Sequence, residues 1–108
     1  MPLTRTGEHA RFSDAGPVPR PLSMGERMVA MLLCLQHGQQ LVAPEGDGAE
    51  TIFTVLEGSG HVREGDERHA VRAGDVVHVL PGTRKALEAG SGTLLVLGVR
   101  AIGGAHAP

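Results

Sequence analysis

Apolar and polar positions along the chain alternate over short segments, a pattern that favours β-strands over helices. Most segments end at a turn containing glycine or proline, and Gly65-Asp66 has the length and chemistry of a tight hairpin turn. The continuous apolar run 27–36 also fits a short buried helix, but the stop at Gly38 favours a strand. Strands at spacings of about ten residues predict an all-β fold, an antiparallel barrel or sandwich. The predicted strands cover residues 27–36, 39–43, 51–57, 61–64, 67–71, 75–80, 84–89 and 93–100.

The two ends of the chain lack this periodicity. Residues 1–24 are rich in Pro, Gly and Arg, and we expect an irregular arm that drapes in part over the domain, because Phe12, Val18 and Leu22 need apolar cover. Residues 25–102 form the predicted barrel domain, and residues 103–108 a frayed tail. Inside the domain, Gly58-Ser59-Gly60 and Gly90-Ser91-Gly92 are predicted to be turns between strands.

Composition narrows the classes of protein that the chain can belong to. The 108 residues suit one domain, with two Phe and neither Tyr nor Trp. The formal net charge of -2 excludes a broad electrostatic preference for nucleic acid or anionic membranes. Cys34 stands alone and so cannot form an internal disulfide. The sequence has neither a secretory signal nor an apolar run of about 18 residues, so a cytoplasmic location is expected by default.

Three segments carry a resemblance to a known family. They are Gly38 with the positions that follow it, TIFTVLEGSG ending its motif at Gly58, and AGDVVHVLPGTRKALEA at 73–89. In this combination the chain resembles a small single-domain cupin, an RmlC-like jelly roll, over residues 27–100. The resemblance implies a double-stranded β-helix of two sheets, commonly a homodimer, with a pocket inside the barrel mouth.

The metal-binding positions of the cupin motifs are occupied here by unusual residues. The resemblance implies two histidines, a glutamate and a third histidine around one divalent ion. Carried over by spacing, these positions fall on Pro44, Gly46, Thr51 and Lys85. A shift in the loop could bring Glu45, Asp47 or Glu50 nearer but supplies no histidine. Since a catalytic metal needs about three good donors, we expect no metal and no other cofactor.

Lys85 therefore carries a functional hypothesis. A buried ammonium must pair with an acceptor, lose its proton or bind an anion. We expect a metal-free protein that holds a small organic molecule, anionic or weakly polar, in the barrel pocket. The alternative for Lys85 is a packed stem whose head reaches solvent at the mouth. The expected pocket residues are Gln40, Val42, Thr51, Phe53, Lys85 and Leu87.

Other functions stay open at this point. One is a cupin-type enzyme, using Lys85 as an amine catalyst or a relocated metal site built from His37, His61, His69 or His78. His61 and His69 could face each other across the predicted hairpin. The other is a structural or regulatory subunit whose pocket is vestigial and filled by Phe53 and Leu87.

The partner that we expect is a second copy of the chain. The strands MVAMLLCL and TLLVLGV carry apolar residues on both faces, more than the inside of one small barrel can bury. Such a surplus is typical of a surface covered by another chain, and a homodimer follows. Neither nucleic acid nor a membrane is expected as a partner.

Overall fold

The structure, a computed structural model, describes residues 3–43 and 48–102. A single 3-10 turn, Thr6–Glu8, precedes seven strands. The described residues contain no helix that could cross a lipid bilayer. The strands are β1 Val18–Met24, β2 Met28–Leu35, β3 Gln40–Val42, β4 Thr51–Glu64, β5 Glu67–Arg72, β6 Val76–Val79 and β7 Lys85–Ala101.

All the strands pair antiparallel, so the predicted all-β fold is confirmed. The hydrogen-bonded order is β1-β2-β7-β4-β5, with β3 added to β7 and β6 added to β4. The long strands β4 and β7 pair along most of their length and connect the two halves of the barrel. The hairpin between β4 and β5 turns at Gly65-Asp66 as predicted, and Gly65 has a φ of +60°, which favours glycine.

Two predicted turns are wrong, because β4 and β7 run continuously through them. Gly58-Ser59-Gly60 lies within β4 and Gly90-Ser91-Gly92 within β7. The pairing register shifts between Val55 and Glu57 and again between Gly58 and Gly60, which marks bulges that bend the strand. A Cβ on Gly58 would overlap the carbonyl oxygen of Thr93, and one on Gly60 would overlap that of Glu88. The glycines are needed here for close approach of two strands.

Alternation along each strand places one set of side chains inside the barrel. On β4, Thr51, Phe53 and Val55 are buried, whereas Ile52 between them is exposed. On β7, Lys85, Leu87 and Ala89 follow the same rule. The main core contains Leu33, Leu35, Phe53, Val55, Val62, Val71, Val79, Leu87, Ala89, Leu94 and Val96.

The N-terminal segment is only partly irregular. The prediction for residues 1–24 is wrong for 18–24, which form β1 and pair with β2. The prolines of β1 argue against a strand in the sequence, because proline has no backbone N–H to donate. In the structure β1 lies at the edge of the sheet, where a missing N–H is tolerated. The predicted tail, residues 103–108, lies outside the described residues.

The segment also covers apolar residues on the outer face of the sheet. Leu32, Cys34 and Leu95 form a second buried cluster, against which Ala10, Val18, Leu22 and Leu56 pack. The expectation for Phe12 is wrong, since its side chain is 37% exposed. The backbone N–H of Arg11 donates to the Cys34 sulfur at 3.4 Å, and the Gln39 amide donates to the carbonyl of Ser13 at 2.7 Å. The N-terminal segment therefore covers part of the outer apolar surface. The sequence predicts that a second copy of the chain covers this surface.

Candidate functional site

A cavity of about 220 Å³ lies inside the barrel, between β1, β2, β3, β4 and β7. Its walls are mainly apolar. They include the side chains of Met31, Leu33, Leu41, Phe53 and Leu87. The structure therefore contradicts a vestigial pocket filled by Phe53 and Leu87. Both side chains line the cavity and leave it unfilled.

Gly98 widens the cavity in its middle. It lies opposite Phe53 in the β4–β7 register. A Cβ at this position would lie 3.2 Å from Leu33 Cδ1 and 3.5 Å from the nearest ring atoms of Phe53. The missing side chain thus leaves room between two apolar walls.

One end of the cavity is polar. Lys85 is 7% exposed, and its ammonium donates to the carbonyl oxygen of Ala49 at 3.4 Å. The hydroxyl of Thr51, itself 3% exposed, donates to the same oxygen at 3.0 Å. Arg100 lies opposite Thr51 in the β4–β7 register, and its Nε is buried. Two cationic side chains and one hydroxyl are thus collected beside an apolar chamber.

Most of the residues expected from the sequence line this cavity. Thr51, Phe53, Lys85 and Leu87 do so, and Val42 contributes at the rim, where it is 65% exposed. That these residues contact a ligand stays a prediction.

The expectation for Gln40 is wrong. The register pairs Gln40 with Glu88 and Leu41 with Leu87, so Gln40 lies on the outer face. Its amide donates to the Glu88 carboxylate at 3.0 Å, and Leu41 takes the cavity position.

Sequence reasoning missed Arg100 as a cavity residue. Alternation along β7 could have predicted this position, because residues at every second position of a strand lie on the same face. On β7 these residues are Leu94, Val96, Gly98 and Arg100.

The donor chemistry of the described cavity lining does not fit a divalent metal ion. Of the four positions on which the cupin metal ligands fall by motif spacing, Thr51 and Lys85 are described; Pro44 and Gly46 lie outside the described residues, as do Glu45 and Asp47. An ammonium offers no lone pair while protonated and repels a cation. Among the described lining residues there is neither a histidine, a cysteine nor a carboxylate.

The histidines within residues 3–43 and 48–102 lie away from the cavity lining. The register pairs His61 with Ala70 and Val62 with His69, so the expected facing of His61 and His69 is wrong: they lie on opposite faces of the hairpin. His78 contacts the Glu50 carboxylate on the outer face, and His37 is exposed in a loop.

One cluster of side chains outside the cavity has the composition of a metal site. Ligand atoms of Glu64, Glu67 and His69 lie within 4.8 Å of one another near the hairpin turn, and His69 Nε2 contacts Glu64 at 3.2 Å. Glu67 is exposed and His69 is half-buried. Any metal-binding experiment must therefore distinguish a metal ion bound at this cluster from one bound in the cavity.

The comparison with known families is decisive for the fold. The family model of the cupin domain matches residues 31–98. The chain belongs to the cupin family. The RmlC-like jelly roll implied by the sequence motifs is thereby confirmed.

Solved structures of bacterial proteins share this fold. The protein TT1209 from Thermus thermophilus superposes with a TM-score of 0.86 at 26% identity, over 94% of this chain and 97% of its own. An RmlC-like cupin from Desulfovibrio desulfuricans gives 0.82 at 25% identity, over 94% and 96%. A double-stranded β-helix protein from Klebsiella pneumoniae gives 0.85 at 20% identity, over 95% and 91%. Among curated proteins, none matches the sequence.

Proposed function

We propose that this cupin binds a small organic anion in the barrel cavity without a metal ion. The observation that carries the proposal is Lys85, an almost fully buried ammonium on the wall of a mainly apolar chamber. A buried cation favours an anion far more strongly than an exposed one does, because water screens the charge less. By motif spacing, one metal-ligand position of the cupins falls on Lys85, so the ammonium would supply the positive charge that a bound metal ion supplies there.

The size of the cavity supports a small ligand. A cavity of roughly 150 Å³ accepts benzene, so about 220 Å³ has room for on the order of ten non-hydrogen atoms. Open space between Leu33, Phe53 and Gly98 supplies contact surface for an apolar group.

Metal analysis and thermal unfolding together test the proposal. The untagged protein is analysed for bound metal, and its Tm is measured with added Mn²⁺, Ni²⁺ or Zn²⁺ and with benzoate or hexanoate. We expect a saturable rise of Tm with the organic acids of about 4 °C or more, because a ligand that binds only the folded state stabilises it. The His69→Ala variant removes the imidazole of the hairpin cluster. If the His69→Ala variant still holds one tightly bound metal ion per chain, that ion is assigned to the barrel. This result would overturn the proposal.

We also propose that the chain is a homodimer. Apolar side chains on the outer face that the N-terminal segment leaves exposed support this. Ile52 is 42% exposed, Val76 61% and Met28 59%. Thr54 and Val76 are register partners, so Val76 and Ile52 lie on the same outer face. A second copy that packs on this face would remove these side chains from water.

A further inference from the structure

The cavity distinguishes between classes of organic anion, because its polar groups lie at one end only. Lys85 and Thr51 are held together by their shared acceptor, the carbonyl of Ala49. Arg100 is beside Thr51 on the neighbouring strand. The remaining walls, with Leu33, Phe53 and Leu87 among them, are apolar.

We propose that the ligand is a monocarboxylate with a compact apolar body, of the size of a substituted benzoate. This inference rests on the proposed function and narrows it. The carboxylate lies at the Lys85 end, and the apolar body fills the space between Leu33, Phe53 and Gly98.

The charged end is suited to a carboxylate. Lys85 supplies a compact point charge, and the planar guanidinium of Arg100 can donate two parallel hydrogen bonds to a carboxylate. Both cations are on strands, which hold a head group in a fixed position better than loop residues do. A phosphate monoester offers the same cations an anion of higher charge and is included as a probe for that reason.

The apolar end argues against sugar acids and other polyhydroxylated ligands. Among the described lining residues, Thr51 supplies the one hydroxyl, and there is no side-chain amide or carboxylate. The hydroxyl groups of a sugar acid would lose their hydrogen bonds to water without replacement, at a cost of about 1–3 kcal/mol for each buried group. An apolar body avoids this cost.

The charge is tested with two probes of the same shape. Fluorine NMR follows the binding of 4-fluorobenzoate and of 4-fluorobenzamide, which keeps the shape of the benzoate and lacks its charge. We expect the benzoate to bind at least ten-fold more tightly than the amide. Lys85→Met is expected to weaken benzoate binding at least ten-fold while leaving the amide unchanged. Arg84→Met is the matched control, since it removes one positive charge next to Lys85 from an exposed side chain outside the cavity lining.

The requirement for an apolar body in the ligand is tested with competing ligands and with a variant whose cavity is smaller. Excess gluconate, a polyhydroxylated monocarboxylate, is expected to leave bound 4-fluorobenzoate in place, and phenyl phosphate is expected to compete more weakly than benzoate. Gly98→Ala adds a methyl group near Leu33 and Phe53 and is expected to weaken 4-fluorobenzoate more than acetate. Displacement by gluconate, or stronger competition by phenyl phosphate than by benzoate, would overturn the ligand class while the proposed anion site stands. Equal binding of benzoate and benzamide, or failure of every probe to bind, would overturn both.

Discussion

Lys85 and Thr51, on two different strands, donate to one carbonyl oxygen, that of Ala49, at 3.4 and 3.0 Å. The hydroxyl and the ammonium are both buried, so this shared acceptor fixes a polar end inside a mainly apolar barrel. By the spacing of the cupin motifs, both positions are predicted to correspond to metal-ligand positions. We propose that this end of the cavity attracts an anion instead.

Replacement of Lys85 by an apolar side chain is expected to separate ligand binding from folding. Lys85→Met keeps much of the side-chain volume and removes the desolvation cost of a buried charge, but it also removes the hydrogen bond to Ala49. We expect a Tm within about 5 °C of that of the wild type, together with loss of the stabilisation by benzoate. Thermal unfolding with and without benzoate measures both effects. A Tm lowered by about 10 °C or more would show instead that the ammonium is needed for folding.

The bend of β4 is expected to require glycine. Gly58→Ala places a Cβ against the Thr93 carbonyl, at a residue with a φ of +83°, so the strands must separate. We expect a loss of at least about 3 kcal/mol in the free energy of unfolding, measured by urea denaturation. Gly92→Ala is the control, because a Cβ added there would have no atom within 4 Å beyond its chain neighbours. It should change stability by about 0.5 kcal/mol or less, and equal effects of the two substitutions would contradict the account of the bend.

The N-terminal segment is expected to protect Cys34. The thiol is fully buried beneath residues that include Ala10. Ala10→Glu places a charge against this apolar cluster and should lift the segment, whereas Ala15→Glu alters an exposed position of the same segment. We expect iodoacetamide to modify native Cys34 at least ten-fold faster in Ala10→Glu than in Ala15→Glu, read as a mass shift. Equal rates would show that the segment does not cover the thiol in solution.

The exposed outer face is expected to form the dimer contact. Val76→Glu introduces a charge at a side chain that is 61% exposed, so the fold tolerates it, while a contact between two copies does not. Sedimentation velocity should give a dimer for the wild type and a monomer for Val76→Glu. Ala73→Glu, an exposed position in the turn before β6, should remain dimeric. A monomeric wild-type chain would refute the proposed homodimer.

The sequence predicts the barrel well wherever strand alternation and turn chemistry act locally. Thr51, Phe53 and Val55 face inwards as their spacing requires, and the Gly65-Asp66 hairpin forms where expected. These features depend on neighbours in the chain, which the sequence displays directly.

Features that depend on contacts between distant strands are harder to predict. Gly58 and Gly60 resemble turn residues in the sequence. In the structure they lie within β4, where the absence of a side chain lets carbonyl groups of β7 approach closely. The prediction for Gln40 fails because β3 has three residues, too few for alternation to fix its register. Arg100 escapes prediction for a similar reason: its place beside Thr51 is set by the pairing of β4 with β7.

The most direct measurement is a crystal structure of the protein with 4-bromobenzoate, located by the anomalous scattering of bromine. We expect a bromine peak between Leu33, Phe53 and Gly98, with the carboxylate at Lys85 and no metal ion beside Thr51. A metal ion held at Thr51 and Lys85, or a cavity without 4-bromobenzoate at concentrations that saturate its effect on Tm, would contradict the proposed binding site.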